Sequence, residues 1–284
     1  MGSAAAEGIP AIFCSCDTCR QARINGGKDM RMRTAYQLGE TVRIDFGPDN
    51  VVQDMRFNID GSKLRHLLVT HSHEDHFVPD SLFFRRKGYS KVPEGSLLRI
   101  YGNAGVARKL EMAFWDAGGM AGFRGDFSPW QLECTIIEPF KPFELKDAGM
   151  TVHPLKANHF RRSVHESPTI FLVSWEDRNV LFANDSGYYC EEDWDYLKSL
   201  PGLHLDAVFA DCTHGILDNR ENHMGGNMLV EVKDRMESEG LLSKNARFIV
   251  NHFSHNGLAL HSNLEGFFNP KGIEVAYDGM VLEL

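Results

Sequence analysis

The sequence predicts a mixed, layered α/β architecture. Three observations carry this expectation. Short apolar runs recur along the whole chain, helix-like segments are interspersed with them, and some runs lie close enough to pair as neighbours. No repeat, low-complexity tract or Pro/Ser-rich linker divides the 284 residues, so they are read as one domain spanning 1–284.

Taken in order, "TVRIDFG" (41–47), "LRHLLVTH" (64–71) and "LLRIYGN" (97–103) read as strands, each a short apolar run. Helix-like segments at 79–87 and 105–117 flank the third. "GMTVHPLKA" (149–157), "TIFLVSWE" (169–176) and "NVLFAND" (179–185) follow as strands. Only Asp177-Arg178 separates the last two, which predicts a hairpin. A helix-like stretch at 191–199 then precedes the strand "DAVFADC" (206–212). Another at 226–239 precedes "ARFIVNH" (246–252), and a third at 257–267 precedes "IEVAYDGMVLEL" (273–284).

Composition narrows the class. The chain is 43% hydrophobic and 24% charged, as expected of a globular protein with a large core. A net charge of −9 argues against a generic nucleic-acid binder, although a local basic face can still handle phosphate. No stretch approaches the ~18 apolar residues of a membrane span, and no basic region leads into an apolar run at the start. The expectation is a cytoplasmic protein without a membrane partner. There, six cysteines are expected to bind metal or sit as buried thiols rather than form disulfides.

Several strand-like runs end in a ligand-type residue: Asp45, His71, Asp185, Asp211 and His252. Polar residues on loops at strand exits are how a layered fold gathers a site from distant sequence. "THSHEDHF" adds His73, Asp75 and His76 directly after His71. Three imidazoles and a carboxylate in six residues suit borderline divalent ions, pointing around a turn at two adjacent centres. Near the start, "AIFCSCDTCRQAR" places Cys14, Cys16 and Cys19 at metal-ligand spacing, one donor short of a tetrahedral set.

The pattern His71-x-His73-x-Asp75-His76 resembles the signature of the metallo-β-lactamase fold superfamily, whose members are αββα four-layer sandwiches with a one- or two-metal site. The other marks of that family can be matched in turn. "IDFG" resembles its early aspartate motif, which makes Asp45 a residue that steadies the histidine loop. "ANHF" supplies His159, "FANDSG" a metal-bridging Asp185, and "IVNHFSHN" a final ligand, His252. The resemblance implies His71, His73, His159 and Asp185 for one metal, and Asp75, His76, Asp185 and His252 for the other. Two divalent ions, Zn, Mn or Fe, would lower the pKa of a shared water toward neutrality. The resemblance also implies an edge strand ahead of the "GSAAAEG" loop, which the sequence does not carry.

Two further stretches resemble the PhnP-type cyclic phosphodiesterases: the opening "GSAAAEGIPAIFCSCDTCRQAR" and the later "DCTHG…NRENHMGGN". That resemblance implies His255 as the fourth ligand of a structural zinc with the three cysteines. It implies His223 as a non-metal histidine that serves the leaving group or holds phosphate. Asn222 and the glycines Gly225 and Gly226 precede a helix, a setting whose backbone N–H groups can hold phosphate, and Arg161 is a further phosphate candidate. The implied activity is hydrolysis of a small cyclic phosphodiester, with Asp75 and Asp185 placing the nucleophile; a homodimer is implied as well. The opening also resembles the PqqB-type proteins of quinone-cofactor biosynthesis, viewed as carriers or oxygen-dependent enzymes. A superfamily nuclease acting on RNA is a third reading, against which the acidic composition weighs. His214 and His165 carry no clear role. The Gly- and Trp-containing segment 115–134 reads as an excursion that caps the pocket.

Overall fold

The computed structural model describes residues 1–118, 123, 125–163 and 166–284. The chain divides into two compact units. One comprises Met1–Thr34, Pro139–Phe160 and Pro168–Leu284; the other comprises Ala35–Glu138 and Arg161–Ser167.

The second unit is built on five strands in the order β1 (Tyr36–Leu38), β2 (Val42–Ile44), β3 (His66–Leu68), β4 (Leu98–Gly102) and β5 (Leu132–Ile136). β1 pairs antiparallel with β2, and β2 to β5 run parallel. Its helices are α2 (Asn50–Phe57) and α3 (Ala104–Gly118), and the helix-like segment 79–87 is a 3-10 helix over Pro79–Arg85. Leu67, Ile100, Val106, Leu110, Phe114 and Trp130 belong to one buried cluster. The described part of the 115–134 excursion joins it. Phe123 is buried and its ring centroid lies 5.1 Å from that of Phe127, while Trp130 lies 5.0 Å from Phe114. Residues 119–122 and 124 lie outside the described residues, as does His165.

The first unit is built on seven strands: β6 (Phe143–Leu145), β7 (Met150–Lys156), β8 (Thr169–Trp175), β9 (Arg178–Ala183), β10 (Leu205–Asp211), β11 (Leu242–Asn251) and β12 (Glu274–Val275). Their spatial order is β12-β11-β10-β9-β8-β7-β6. β6 to β9 form an antiparallel meander, and β9 to β12 run parallel. Near-continuous burial along β8 and β10 explains their unbroken apolar runs, since strands covered on both faces have no solvent face to alternate toward. Helices α1 (Asp17–Asn25), α4 (Glu191–Ser199), α5 (Asn227–Ser238) and α6 (His261–Phe268) complete the unit.

Most strand expectations match, with three kinds of departure. β1, β5 and β6 are short and escape notice; β5 exposes most of its length, and of the three residues of β6 only Leu145 is buried. α1 and α2 follow motifs rather than apolar periodicity: both average more polar than apolar, and α2 carries Val51, Val52 and Met55 on solvent. The terminal run 273–284 forms only the two-residue β12, the rest being turn and irregular chain. At the other end Ala4 bridges Arg33 and Phe253, and Ile9 bridges Arg31, so the opening loop is tied by backbone pairing.

Candidate metal centres

In the five-stranded unit, Asp45 follows β2 and the histidine loop follows its parallel neighbour β3. Parallel strands end on the same edge, which is why two sequence-distant motifs meet there. Asp45 is buried and holds the left-handed conformation at φ 64°. Its carboxylate accepts from the backbone N–H of Thr70 at 2.9 Å and from the Thr70 hydroxyl at 3.0 Å. It also lies 2.7 Å from His76 Nδ1, so that nitrogen donates to it and Nε2 is the nitrogen turned toward the ligand-type groups. His76 Nε2 is 3.0 Å from Asp75 Oδ2, and the His71 ring centroid lies 4.4 Å from those of both His73 and His76. The "IDFG" segment clamps the loop from below. Phe46 N–H donates to His76 O and Val78 N–H to Phe46 O, both at 2.7 Å. A Cβ on Gly47 would stand 2.0 Å from Asp75 O, so no other residue fits.

Two residues of this unit carry no motif and are invisible to sequence reading. Glu166, buried, accepts from the backbone N–H of Ser72 at 2.8 Å and of Arg162 at 3.0 Å. Burial alone would raise its pKa, but the Ser72 and Arg162 donors hold it below the usual carboxylate value. Lys109 donates to Ser72 O at 2.7 Å. Ser72, between His71 and His73, is therefore gripped at both backbone groups. Of the adjacent arginines, Arg162 pairs with Glu74 and Arg161 is exposed.

In the seven-stranded unit, Asp185, Asp211 and His252 stand at the C-terminal ends of β9, β10 and β11, three neighbouring parallel strands. Asp185 and His252 adopt φ of 57° and 63°, and Asn222 adopts 60°. Left-handed backbone is uncommon outside glycine, although Asp, Asn and His adopt it more readily than other residues, and it collects at functional sites where surrounding structure enforces it. Asp211 explains the enforcement. Fully buried, it accepts from the backbone N–H groups of Asp185 (3.0 Å), Thr213 (3.0 Å) and Met224 (2.9 Å). Its Oδ2 also lies 3.2 Å from Nδ1 of both His223 and His252. Burial opposes its charge, but the two imidazoles outweigh that and hold its pKa far below the carboxylate range. Thr213 Oγ1 stands 3.2 Å from His223 Nδ1 and 3.0 Å from His252 Nδ1, a second post that sequence reading missed.

Asp185 Oδ1 lies 3.4 Å from His159 Nδ1 and 3.1 Å from His223 Nδ1, and Oδ2 lies 3.9 Å from His252 Nε2. Ligand atoms of Asp185, Asp211, His223 and His252 all fall within 4.8 Å of one another, a set able to surround an ion. Burial favours neutral His223, yet Asp211 and Asp185 raise its pKa above the ordinary imidazole value. With Nδ1 committed to these carboxylates, Nε2 is the nitrogen through which the ring can act on a ligand. The helix N-terminus nearby differs from expectation. The Asp218 carboxylate already accepts from Asn227 N–H at 2.6 Å, and Met228 N–H donates to Gly225 O, so the first two amides of α5 are engaged within the protein. Asn222 offers its carbonyl, 3.3 Å from His159 Nδ1.

The cysteine cluster belongs to the same unit. Cys16 is the N-cap of α1 and Cys19 lies in its first turn, so the x-x of Cys-x-x-Cys is helical rather than loop. Backbone N–H groups of Cys16, Cys19 and Ala11 donate to Cys14, Cys16 and Cys19 sulfurs at 3.3–3.4 Å. His255 Nδ1 stands 3.6 Å from both Cys14 Sγ and Cys16 Sγ, and all four ligand atoms lie within 4.8 Å. Zinc bonds of about 2.3 Å to sulfur and 2.0 Å to nitrogen, at tetrahedral angles, give an S···N edge of about 3.5 Å, close to the spacing found. The donor set therefore fits zinc. Cys134 and Cys212 stand apart as thiols whose pKa burial raises, and Cys190 donates to Asp193 at 2.8 Å. No helix among the described residues is long and apolar enough to cross a membrane.

Comparison with known proteins agrees with the fold. The family described as "Beta-lactamase superfamily domain" matches residues 40–253. No curated protein matches the sequence. Among solved structures, a diphosphatase from the PhnP family is 21% identical with a TM-score of 0.71, covering 100% of this chain and 94% of that one. Zn(2+)-bound PqqB from Methylobacterium extorquens is 17% identical with a TM-score of 0.72, covering 100% and 98%. Human tRNase Z, short form, is 16% identical with a TM-score of 0.60, covering 99% and 96%. At these identities the likeness speaks for the metallo-β-lactamase fold.

Proposed function

The chain belongs to the beta-lactamase superfamily, and from that premise we propose that it is a metal-dependent phosphodiesterase acting on a small, cyclic phosphodiester. His71, His73, His159 and Asp185 are assigned to one divalent ion, and Asp75, His76, Asp185 and His252 to the other. Cys14, Cys16, Cys19 and His255 are assigned to a closed structural zinc. Bound at the first two positions, the ions would neutralise phosphate oxygens and acidify a water.

The observation that carries this reading is Asp211. One fully buried carboxylate holds the backbone of Asp185 and the rings of His223 and His252 together, so ligand-type groups and a proton-bearing imidazole share one support. Asp211 fixes His223 through Nδ1 and favours its protonated form. His223 then donates from Nε2 to the departing alkoxide. Asp45 does the corresponding orienting work for His76. Arg161 is offered to the substrate phosphate.

The test is metal analysis with turnover of a nitrophenyl phosphodiester, followed by a panel of cyclic and linear diesters with Mn or Zn. Replacing His223 with Ala is expected to leave metal content intact and lower turnover ~10²–10⁴-fold. Unchanged turnover removes His223 from the mechanism. The likeness to PqqB favours a second reading, a metal protein that binds a small redox molecule. One ion at this centre and no diesterase activity would select it. Cleavage of structured RNA would select a nuclease instead.

A further inference from the structure

The five-stranded unit holds a cavity that the proposed hydrolase does not use. Its strands β3, β4 and β5 are parallel, and the histidine loop follows the C-terminal end of β3. Residues 85–94 and 129–131 precede β4 and β5 and so lie at the opposite end of the same sheet. Arg85, Lys87, Tyr89, Lys91, Glu94 and Gln131 are among those lining a cavity of about 650 Å³ there.

Its charge is unbalanced. Arg85, Arg86, Lys87 and Lys91 fall within seven residues that include no acid. Among the described residues, none of the four makes an ion pair. Arg85 separates the cavity from an ordinary solvated basic surface. It is half-buried, and its guanidinium is fixed by donating to Ser96 O at 2.7 Å and Trp130 O at 3.3 Å. Carbonyls satisfy hydrogen bonds without neutralising a charge, and burial together with nearby Arg65 lowers its pKa. An anion in the cavity would offset that cost. Exposed rings adjoin the charges: Tyr89 is 62% exposed, Phe84 is 54% exposed, and their centroids lie 5.6 Å apart. The Arg86 guanidinium stands 5.8 Å from the Tyr89 ring centre.

Cations beside accessible aromatic faces suit a ligand that joins phosphate to a flat ring. The volume lies in the range of small-molecule sites, and a chain of net charge −9 disfavours a long polyanion. We propose that this cavity binds a mononucleotide, its phosphate facing Arg85, Lys87 and Lys91 and its base stacking on Tyr89. Glu94, also in the lining, would accept from a sugar hydroxyl or an amino group. The proposal does not depend on the hydrolase reading.

It is tested by calorimetric titration of the zinc-loaded full chain with 5′-AMP, inorganic phosphate and a short single-stranded oligoadenylate at low ionic strength. AMP is expected to bind saturably and more tightly than phosphate. Tyr89→Ala, and separately Lys87→Gln with Lys91→Gln, should weaken AMP about tenfold or more, while Tyr89→Phe retains binding because the stacking face remains. Any turnover of a small nitrophenyl diester should be the same in these variants as in the parent. The proposal is overturned if AMP affinity is unaffected by these substitutions, or if phosphate binds as well as AMP. It is also overturned if the oligonucleotide binds and AMP does not. A failed diesterase assay leaves these binding outcomes unchanged, so the two readings fail separately.

Discussion

Single side chains reveal how the centres are supported. Asp211 and Glu166 are both buried carboxylates that accept mainly from backbone N–H groups next to ligand-type residues. Such residues set ligand orientation, and losing them typically costs 10–100-fold in metal affinity. Glu166→Gln should therefore weaken metal binding by about that factor, read by competition with a chromophoric chelator; an unchanged affinity would show that Lys109 alone holds Ser72. Asp211 could be singled out from its position at a strand end. Glu166 and Thr213 could not, because their importance lies in which backbone group they reach, and no spacing records that.

At the level of elements, strand exits do the positioning. β2 and β3 deliver Asp45 and the histidine loop to one edge, and β9, β10 and β11 deliver Asp185, Asp211 and His252 to another. Gly47 couples the first pair. Gly47→Ala would drive a Cβ into Asp75 O, so it should displace the loop and lower metal loading, measured by elemental analysis, more than Gly266→Ala, where nothing lies within 4 Å. β7 and α4 meet at His153, whose Nδ1 lies 2.9 Å from Tyr196 Oη. Burial lowers the pKa of His153, so the unfolded chain binds the proton more readily than the folded one. Stability from this group is then full above the ordinary histidine pKa of ~6.5 and declines as pH falls below it. In urea melts, His153→Gln should lose less stability between neutral and mildly acidic pH than the parent does. Apolar runs made the buried strands readable. The short strands β1, β5 and β6 were not, since edge or exposed pairing leaves little apolar signal.

For the molecule as a whole, the zinc set links the chain start to its last quarter. Cys14 and His255 are 241 positions apart, and His255 is three residues beyond His252. His255→Ala should release one zinc and lower Tm by roughly 5–10 °C while the other metals still load. Loss of every metal together would deny the zinc a separate structural role. By itself the sequence determined the kind of donors, their local spacing and the alternation of strands and helices, because these depend on neighbours along the chain. It also carried the motif by which the family is recognised. Folding alone selected Glu166 for Ser72, Asp218 for the head of α5, and one carboxylate, Asp211, as the common support of Asp185, His223 and His252. Those choices depend on which strands lie side by side and end at the same edge. Strand order joins residues that sequence distance leaves unrelated.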